Sequence, residues 1–257
     1  MKTIQNLFLA STLVLGSQVA LAEADSVLIE VGVQRVFVPL NGYDDNDTVE
    51  VVIDGYLPNS CYTLEQHVVE RNAEDNSFSI KQYAVQQMGG LCAESNSEDP
   101  RLTTLVPYTN TIVLGKVDAG SYKVEFTPDR VSTQNRAFNV TQAPVTTIDT
   151  LPYAMVTNVQ ISDLVQSGNH IAAEISGTLN NSCYHFNDTV RVEKVDDVLV
   201  VLPTITVDMS QPCLMFVRTF SKTVDLGAYS ADRYLLHVRS MNGKSLNRVF
   251  SVVDAVN

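Results

Sequence analysis

The sequence predicts an all-β protein made of two tandem antiparallel β-sandwich domains. Three observations support this prediction: a repeat of the whole domain, a series of short strand-like runs, and four cysteines whose spacing follows the repeat. The repeat is clearest where GYLPNSCY at 55–62 returns 122 residues later as GTLNNSCY at 177–184. Glycine, leucine, asparagine, serine, cysteine and tyrosine keep their places in both copies. The chain is therefore interpreted as an internal duplication.

Residues 1–22 are expected to be a secretory signal peptide that is not part of the fold. Lys2 supplies the positive start, an apolar run extends from Leu7 to Leu15, and Ala20-Leu21-Ala22 forms a small-x-small cleavage site. The run is too short to span a membrane, and no later run reaches the ~18 apolar residues that a membrane helix needs. We therefore expect a soluble, exported mature protein, either periplasmic or secreted.

The charge of the chain limits its partners. The formal net charge is −12, from 29 Asp+Glu against 17 Lys+Arg, and loss of the signal peptide removes only Lys2 and makes it −13. Nucleic acid and anionic membrane surfaces both repel a protein of this charge. We therefore expect no nucleic-acid partner, and a protein or glycan of the cell envelope is the expected partner.

The two copies set the expected domain bounds. The first domain is expected at 23–142, a linker at 143–152 and the second domain at 153–257. The linker is rich in Thr and Pro and lacks strand alternation, which indicates a short and fairly stiff connection. About seven strand-like runs per hundred residues are typical of a sandwich. The runs of the first copy are Val27–Val33, Thr48–Gly55, Cys61–Glu70, Phe78–Val85, Thr109–Leu114, Ser121–Thr127 and Asn135–Val140.

A strand with one inward face precedes the cysteine phrase in each copy. Alternate residues are apolar in Val49–Ile53 and again in Ile171–Ile175, as expected for a strand with one buried face. Each strand is expected to end at its glycine, Gly55 or Gly177, where glycine would permit the turn that leads to the cysteine.

The second copy is expected to close with a hairpin. Arg233–Ser240 and Ser245–Val253 are strand-like, and Asn242-Gly243 lies between them. This dipeptide favours a type I′ turn because both of its residues tolerate positive φ.

Four cysteines in an exported chain indicate disulfides. Of the three possible pairings the repeat selects Cys61–Cys92 and Cys183–Cys213, which lie 31 and 30 residues apart. Neither pair has the C-x-x-C spacing of a redox or zinc site. Each disulfide is expected to stabilise its domain, by roughly 3–4 kcal/mol on the chain-entropy account.

Val117–Tyr122 resembles the Asp-x-Ala/Gly-x-Tyr corner of immunoglobulin-like domains, and the second copy keeps Tyr234 at the same place. The resemblance implies an immunoglobulin or fibronectin-III type sandwich in which each of these tyrosine hydroxyls bonds back to the backbone. The residues two places after the tyrosines are Val124 and Leu236, so the usual inter-sheet cysteine is missing, and the chain has no Trp. The sandwich class is therefore expected with its disulfides in a different place.

A turn rich in carboxylates, Gly42–Asp47, is a candidate calcium site. Asp44, Asp45 and Asp47 supply the oxygen ligands that calcium prefers. The turn lacks the glycine of an EF-hand loop, and the second copy has Gln166–Asn169 at this place. The alternative interpretation is a solvated Asx turn without metal. No other cofactor is expected.

No catalytic residue is predicted. The four histidines have no metal-ligand spacing, no G-x-S-x-G segment is present, and both cysteine pairs are assigned to disulfides. An enzyme that uses a pair of carboxylates is a less favoured alternative. The histidines are His67, His170, His185 and His237.

The sequence therefore favours a non-enzymatic binding or structural module of the envelope. Two loops beside the cysteines, 88–100 and 207–216, are the candidate binding sites, since loops on rigid sandwiches often hold them; the other interpretation is an ordinary disulfide-pinned crossover. The alternative function is a periplasmic chaperone or an inhibitor of exported proteins. Gln34–Val38 resembles the first-strand arginine segment of pilus chaperones, which also have two immunoglobulin-like domains, although those two domains differ from each other.

Overall fold

The structure is a computed structural model that describes residues 27–87, 92, 100–128, 133–144, 149–210 and 212–254. The expected signal peptide and most of the loop 88–100 lie outside these residues. The described helix is a single turn, α1 (Pro100–Thr103). Among the described residues, no helix has both the length and the hydropathy of a membrane span.

The strands of the first half end at Thr141, and those of the second half begin at Met155. The first half contains β1 (Val27–Val31), β2 (Val33–Phe37), β3 (Tyr43–Asp44), β4 (Val49–Leu57), β5 (Tyr62–Asn72), β6 (Ser77–Gln86), β7 (Val106–Gly115), β8 (Gly120–Phe126) and β9 (Gln134–Thr141). The second half contains β10 (Met155–Gln160), β11 (Leu164–Gln166), β12 (Ile171–Leu179), β13 (Tyr184–Phe186), β14 (Arg191–Val195), β15 (Val198–Leu202), β16 (Ile205–Val207), β17 (Arg218–Gly227), β18 (Asp232–Ser240) and β19 (Lys244–Val253).

Each half folds into a sandwich of a small and a large sheet. In the first half β2, β4 and β7 form the small sheet, and the large sheet has the order β1-β6-β8-β9-β3 with β5 paired to β6. In the second half β10, β12 and β17 form the small sheet, and the large sheet has the order β11-β19-β18-β15-β14. A separate pair, β13 and β16, lies beside the second sandwich.

The pairing pattern repeats between the halves, including its unusual parallel contacts. β6 runs parallel to β8 and β3 parallel to β9 in the first half, and β15 with β18 and β11 with β19 repeat these contacts in the second. The prediction of an all-β chain of two tandem sandwiches is confirmed.

Each sandwich encloses its own apolar core. In the small sheets the residues predicted to face inwards do so: Val49, Val51 and Ile53 lie in the first core, and their counterparts on β12 lie in the second. These side chains are at most 2 % exposed. Burial of one row of apolar side chains per strand is the main stabilising contribution in such a fold.

Both predicted disulfides are present. Cys61 bonds Cys92 and Cys183 bonds Cys213, with Cα–Cα distances of 5.6 Å and 5.3 Å. There is one disulfide in each half. It joins the residue just before one strand, β5 or β13, to the loop that follows a later strand, β6 or β16.

The predicted hairpin at the end of the chain is also present. β18 and β19 pair in antiparallel fashion, from Asp232 opposite Val252 to Ser240 opposite Lys244. Both Asn242 and Gly243 have positive φ, at 67° and 65°. The turn has a further role that the sequence did not indicate. The Asp149 carboxylate of the linker accepts the backbone N–H groups of Asn242 and Gly243, both at 2.8 Å, and this fixes the linker against the hairpin.

The two sandwiches pack against each other. The outer face of β2 and β4 contacts the outer face of β15, β18 and β19 through a third apolar cluster that joins the two halves. The chain is therefore a stack of four sheets, in which the first small sheet lies against the second large sheet. The cluster consists of Phe37, Val52, Tyr153, Val198, Val200, Leu202 and Leu235, with Val249 at its border.

Candidate binding surface and interdomain junction

The cysteine phrase forms the same tight turn in both halves. The side-chain oxygen of Asn59 accepts the backbone N–H of Cys61 at 2.8 Å, and Asn181 does the same for Cys183 at 2.7 Å. The asparagine thus bonds its local backbone, as expected for an Asx turn. The phrase is repeated because it builds the turn that carries each disulfide.

The phrase requires glycine for a reason other than the predicted turn. Gly55 and Gly177 lie within β4 and β12, two residues before the strand end, and neither has positive φ. A Cβ at Gly177 would lie 2.0 Å from the carbonyl oxygen of Met155, and one at Gly55 would lie 2.4 Å from that of Gly32. The prediction of a turn glycine is therefore wrong: close approach of the neighbouring strand at a bulge excludes a side chain here.

The tyrosine corners are also repeated. The Tyr122 hydroxyl donates to the carbonyl of Asp118 at 2.8 Å, and the Tyr234 hydroxyl donates to that of Ser230 at 3.1 Å. Both bonds run four residues back along the chain, which is the geometry that the immunoglobulin-like resemblance implies. Tyr122 and Tyr234 each stack on a core phenylalanine of β9 or β19.

In the second half the disulfide holds an exposed segment against the turn. Ser182 donates its backbone N–H to the carbonyl of Leu214 at 2.9 Å, and its hydroxyl accepts the Leu214 N–H at 2.8 Å. On the other side of the turn, Asp208 donates its N–H to the carbonyl of Cys183 at 2.9 Å. The backbone on both sides of Cys213 is therefore fixed by hydrogen bonds in addition to the disulfide.

The side chains carried by this fixed backbone are apolar and exposed. Leu214, Met215, Phe216 and Val217 are 65 %, 83 %, 45 % and 67 % exposed. A run of four exposed apolar residues is unfavourable in water and is typical of a contact surface. We call the following six residues the apolar patch: Val207, Met209, Leu214, Met215, Phe216 and Val217.

Neighbouring groups orient the patch. The Arg218 guanidinium lies 5.6 Å from the centre of the Phe216 ring and donates to the carbonyl of Tyr184 at 2.6 Å. The sulfur of Met209 lies 3.8 Å from that of Cys213. The predicted loop 207–216 is thus a defined surface around the disulfide. Its counterpart 88–100 lies mostly outside the described residues, so that part of the prediction stays open.

The carboxylates of the acidic turn point to different partners. Asp45 accepts the N–H of Ala143 at 3.0 Å, whereas Asp47 accepts the N–H of Asp44 at 3.0 Å through one oxygen and pairs with Arg239 through the other. In the part of the chain that is described, no group of three or more His, Cys, Asp or Glu side chains could hold a metal ion. The calcium site at Asp44, Asp45 and Asp47 stays a prediction, and the geometry gives it no support.

Asp47 instead belongs to the junction between the domains. Its carboxylate lies 2.6 Å from Arg239 of β18, and the side chains of both residues are almost fully buried. The rings of Tyr43 and Tyr153 lie 5.7 Å and 5.3 Å from the guanidinium. The nearby Asp47 charge favours the cation and raises the pKa of Arg239 against the opposing effect of burial. Aromatic faces and one carboxylate thus compensate a buried positive charge.

Further ion pairs surround the apolar interdomain cluster. Arg35 of the first domain lies 2.7 Å from Asp232 of the second. Arg233 of the second domain pairs with Asp54 of the first. Burial is the main reason why the pKa of Asp54 is raised, and the two arginines oppose that effect. Arg35, which resembles the chaperone arginine, thus lies in a crevice of about 220 Å³ between the domains with its charge already paired.

His237 is buried at the same junction. Its ring lies edge-on to Tyr43, at 5.6 Å between centres, and its Nδ1 lies 2.8 Å from the side-chain oxygen of Asn247. Asn247 in turn donates to the carboxylate of Glu50 at 2.8 Å. Burial, together with the positive charge of Arg239, lowers the pKa of His237 to about 3. The histidine is therefore neutral in the docked protein.

Sequence reasoning missed the junction, although the sequence contains one signal for it. Val198–Leu202 is a continuous apolar run, and all five of its residues are buried. Such a run is typical of a strand covered on both faces, whereas alternation is typical of a strand with one face in water. This run therefore indicates that the second large sheet has a protein layer on each side.

The comparison with known families agrees with this duplicated architecture. The fold defines a tandem β-sandwich protein with one disulfide in each half. The profile of the ORF11 beta-sandwich domain family matches residues 51–140 and 173–252, which together are more than half of the chain. The chain belongs to the ORF11 beta-sandwich domain family. No curated protein and no solved structure matches it.

Proposed function

We propose that the chain is an exported, non-enzymatic protein-binding module whose apolar patch contacts the partner. The observation that carries the proposal is the run Leu214–Val217, in which four consecutive apolar side chains are exposed on a backbone fixed by Cys183–Cys213. Exposing such a run without a partner would cost solubility. A fixed backbone reduces the entropy lost on binding, so the patch is preorganised for contact.

The charge of the molecule favours a protein partner over a lipid surface. An anionic lipid surface repels a protein with a net charge of −12, which opposes insertion of the patch into such a membrane. An apolar surface on another protein imposes no such penalty. We therefore expect a partner protein with an exposed apolar surface, and a glycan is the less favoured ligand because the patch offers few polar groups.

Export is the second part of the proposal. Disulfides persist in oxidising compartments, and all four cysteines of the chain are in disulfides. The apolar run and cleavage site at 1–22 fit the same interpretation. We expect the mature protein in the periplasm or outside the cell.

The chaperone alternative needs a basic group that is free to hold a client. Arg35 and Arg233 line the crevice between the domains, but Asp232 and Asp54 already pair with them. A client would have to break these pairs to use either arginine. This arrangement favours a structural role for the two arginines, and the binding-module proposal is preferred for that reason.

The test is cross-linking capture with variants of the patch. The tagged protein is expressed in its native cells, cross-linked, and purified with whatever is bound. The patch variant carries Leu214→Ser and Met215→Ser. The matched control carries Val113→Ser and Leu164→Ser, which change residues of similar exposure, 57 % and 61 %, away from the patch.

The expected result is one dominant partner that the patch variant loses and the control keeps. Both variants should melt at the temperature of the parent, since the changed side chains are exposed. A partner kept by both variants, or no protein above background, would contradict the proposal. Many unrelated clients, lost from variants of Arg35 and Arg233 instead, would support the chaperone alternative.

A further inference from the structure

The apolar patch contains two of the four methionines that the structure describes, and they differ sharply from the other two. Met209 and Met215 are 75 % and 83 % exposed. Met155 is partly buried, and its sulfur accepts hydrogen bonds from the Thr178 hydroxyl at 3.3 Å and the Asn180 amide at 3.7 Å. Met241 is partly buried and packs against the small apolar cluster of Ala154, Leu179 and Ile205. The two groups therefore offer very different access to their sulfur atoms.

Access to the sulfur decides how readily a thioether is oxidised. A sulfur lone pair attacks one oxygen of a peroxide, the O–O bond breaks, the sulfur becomes a sulfoxide and the peroxide leaves as water. The same reagent reacts with thiolates, but none of the four cysteines of this chain is free. The exposed thioethers are consequently the most accessible peroxide-reactive sulfurs among the described residues.

We propose that Met209 and Met215 are oxidation sites, and that their conversion to sulfoxide by a peroxide switches the apolar patch to a state that no longer binds. The switch rests on the proposed function, because it acts on the surface that is proposed to bind. The sulfoxide is polar and hydrogen-bonds water, so two of the six apolar side chains would lose the character that favours contact. Reduction by a methionine sulfoxide reductase would restore the surface.

The two methionines lie close to the same point of the surface, so oxidation of both changes one region. Met215 follows Cys213 by two residues, and the sulfur of Met209 lies 3.8 Å from that of Cys213. Both thioethers therefore flank the point at which the disulfide fixes the backbone. Oxidation changes the chemistry of the surface while Cys183–Cys213 continues to hold its shape.

The first arm of the test maps the reaction and needs no partner. The folded protein is treated with dilute hydrogen peroxide for increasing times, quenched and digested, and the sulfoxide at each methionine is measured by mass spectrometry. Met209 and Met215 should react several-fold faster than the internal controls Met155 and Met241. Equal rates at all four residues would overturn the proposal.

The second arm measures the surface. Retention of the folded protein on phenyl-agarose should fall after oxidation and recover after treatment with sulfoxide reductases. A variant with Met209→Leu and Met215→Leu should keep its retention under the same treatment, because leucine preserves the apolar surface and cannot be oxidised. Loss of retention in this variant, or no loss in the parent, would overturn the proposal.

The third arm separates this inference from the function on which it rests. Oxidised parent protein should lose the partner that the unoxidised protein captures, whereas the leucine variant should keep it. If a partner is captured equally well after oxidation, the switch is wrong and the binding function stands. If the unoxidised protein captures nothing, the binding function fails, and with it the proposed switch, even where the sulfoxide map is as expected.

Discussion

The outer faces of the two small sheets are the most informative comparison within the molecule. On β4 the outward residues are Glu50, Val52 and Asp54, and all are buried or half-buried by the second domain. The equivalent residues of β12 include Ala172 and Glu174, which are exposed to solvent. The inward residues of both strands are apolar and the bulge glycine is the same. The duplication therefore preserved the sandwich, and we expect the outer row to decide whether a face docks.

The same difference extends to the large sheets. The domains contact each other through different faces, the small sheet of one against the large sheet of the other, and a contact of this type can in principle propagate. The free small sheet has Glu174 where the docked one has Val52. The free large sheet has Lys123 and Glu125 at the places of Leu235 and His237. The free outer faces thus carry charged side chains at places where the docked faces have valine, leucine and a neutral histidine.

The largest effect should come from the buried ion pair of the junction. Asp47→Ala leaves the Arg239 cation buried without its carboxylate, and we expect a loss of about 3–5 kcal/mol in the free energy of unfolding. Urea unfolding followed by circular dichroism measures it. The control is Asp232→Ala, which removes an interdomain pair whose side chains are about half exposed, with an expected loss of ~0–1 kcal/mol. Equal losses would show that burial does not distinguish the two pairs.

A second variant gives the docked face the glutamate that the free face has at the equivalent place, Glu174. Val52→Glu buries a carboxylate in the apolar interdomain cluster, and we expect a loss of about 3 kcal/mol together with partial separation of the domains. Small-angle scattering would report the separation as an increase in radius of gyration. The reciprocal change, Glu174→Val, should leave both stability and shape nearly unchanged. If the two changes have similar effects, the outer row does not decide docking.

The sequence predicted the parts of this comparison that depend on local pattern. The strands, the disulfides and the inward row of β4 follow from alternation and from the repeat. Docking of Val52 could not be predicted in this way, because a valine on an outer face is compatible with solvent and its partners lie in the other domain. The Val198–Leu202 run was the available signal, and Met215 and Phe216 were visible as apolar residues beside a cysteine. Their exposure required the structure.

The bulge glycines test the feature that both small sheets share. Gly55→Ala and Gly177→Ala each place a Cβ within 2.4 Å of a carbonyl oxygen of the neighbouring strand, so both should destabilise the protein by about 1–3 kcal/mol. Gly120→Ala is the control, since its Cβ would find only an ordinary contact at 3.4 Å and its φ is not positive. If the Gly177→Ala variant were as stable as the parent, the strand of Met155 would be able to shift away at little cost in free energy.

The smallest expected effect is a pH dependence that belongs to the docked face alone. Burial, with Arg239 beside it, lowers the pKa of His237 to about 3, whereas a histidine in the unfolded chain has a pKa near its ordinary 6.5. The equivalent residue of the first domain, Glu125, lies on the free face. Between these two pKa values the unfolded chain binds a proton that the folded protein does not. Stability is therefore fully present above about pH 6.5 and is lost as the pH falls.

The expected loss from this residue is about 1.4 kcal/mol for each pH unit below 6.5. Urea midpoints at pH 7 and pH 5.5 measure it, in a range above the ordinary pKa of carboxylates. His237→Gln keeps an amide that can bond Asn247 but cannot be protonated, so its stability should change less over the same range, by about that amount. If stability changed equally with pH in parent and variant, burial would not be preventing protonation of His237. The junction would then admit water around this ring before the chain unfolds.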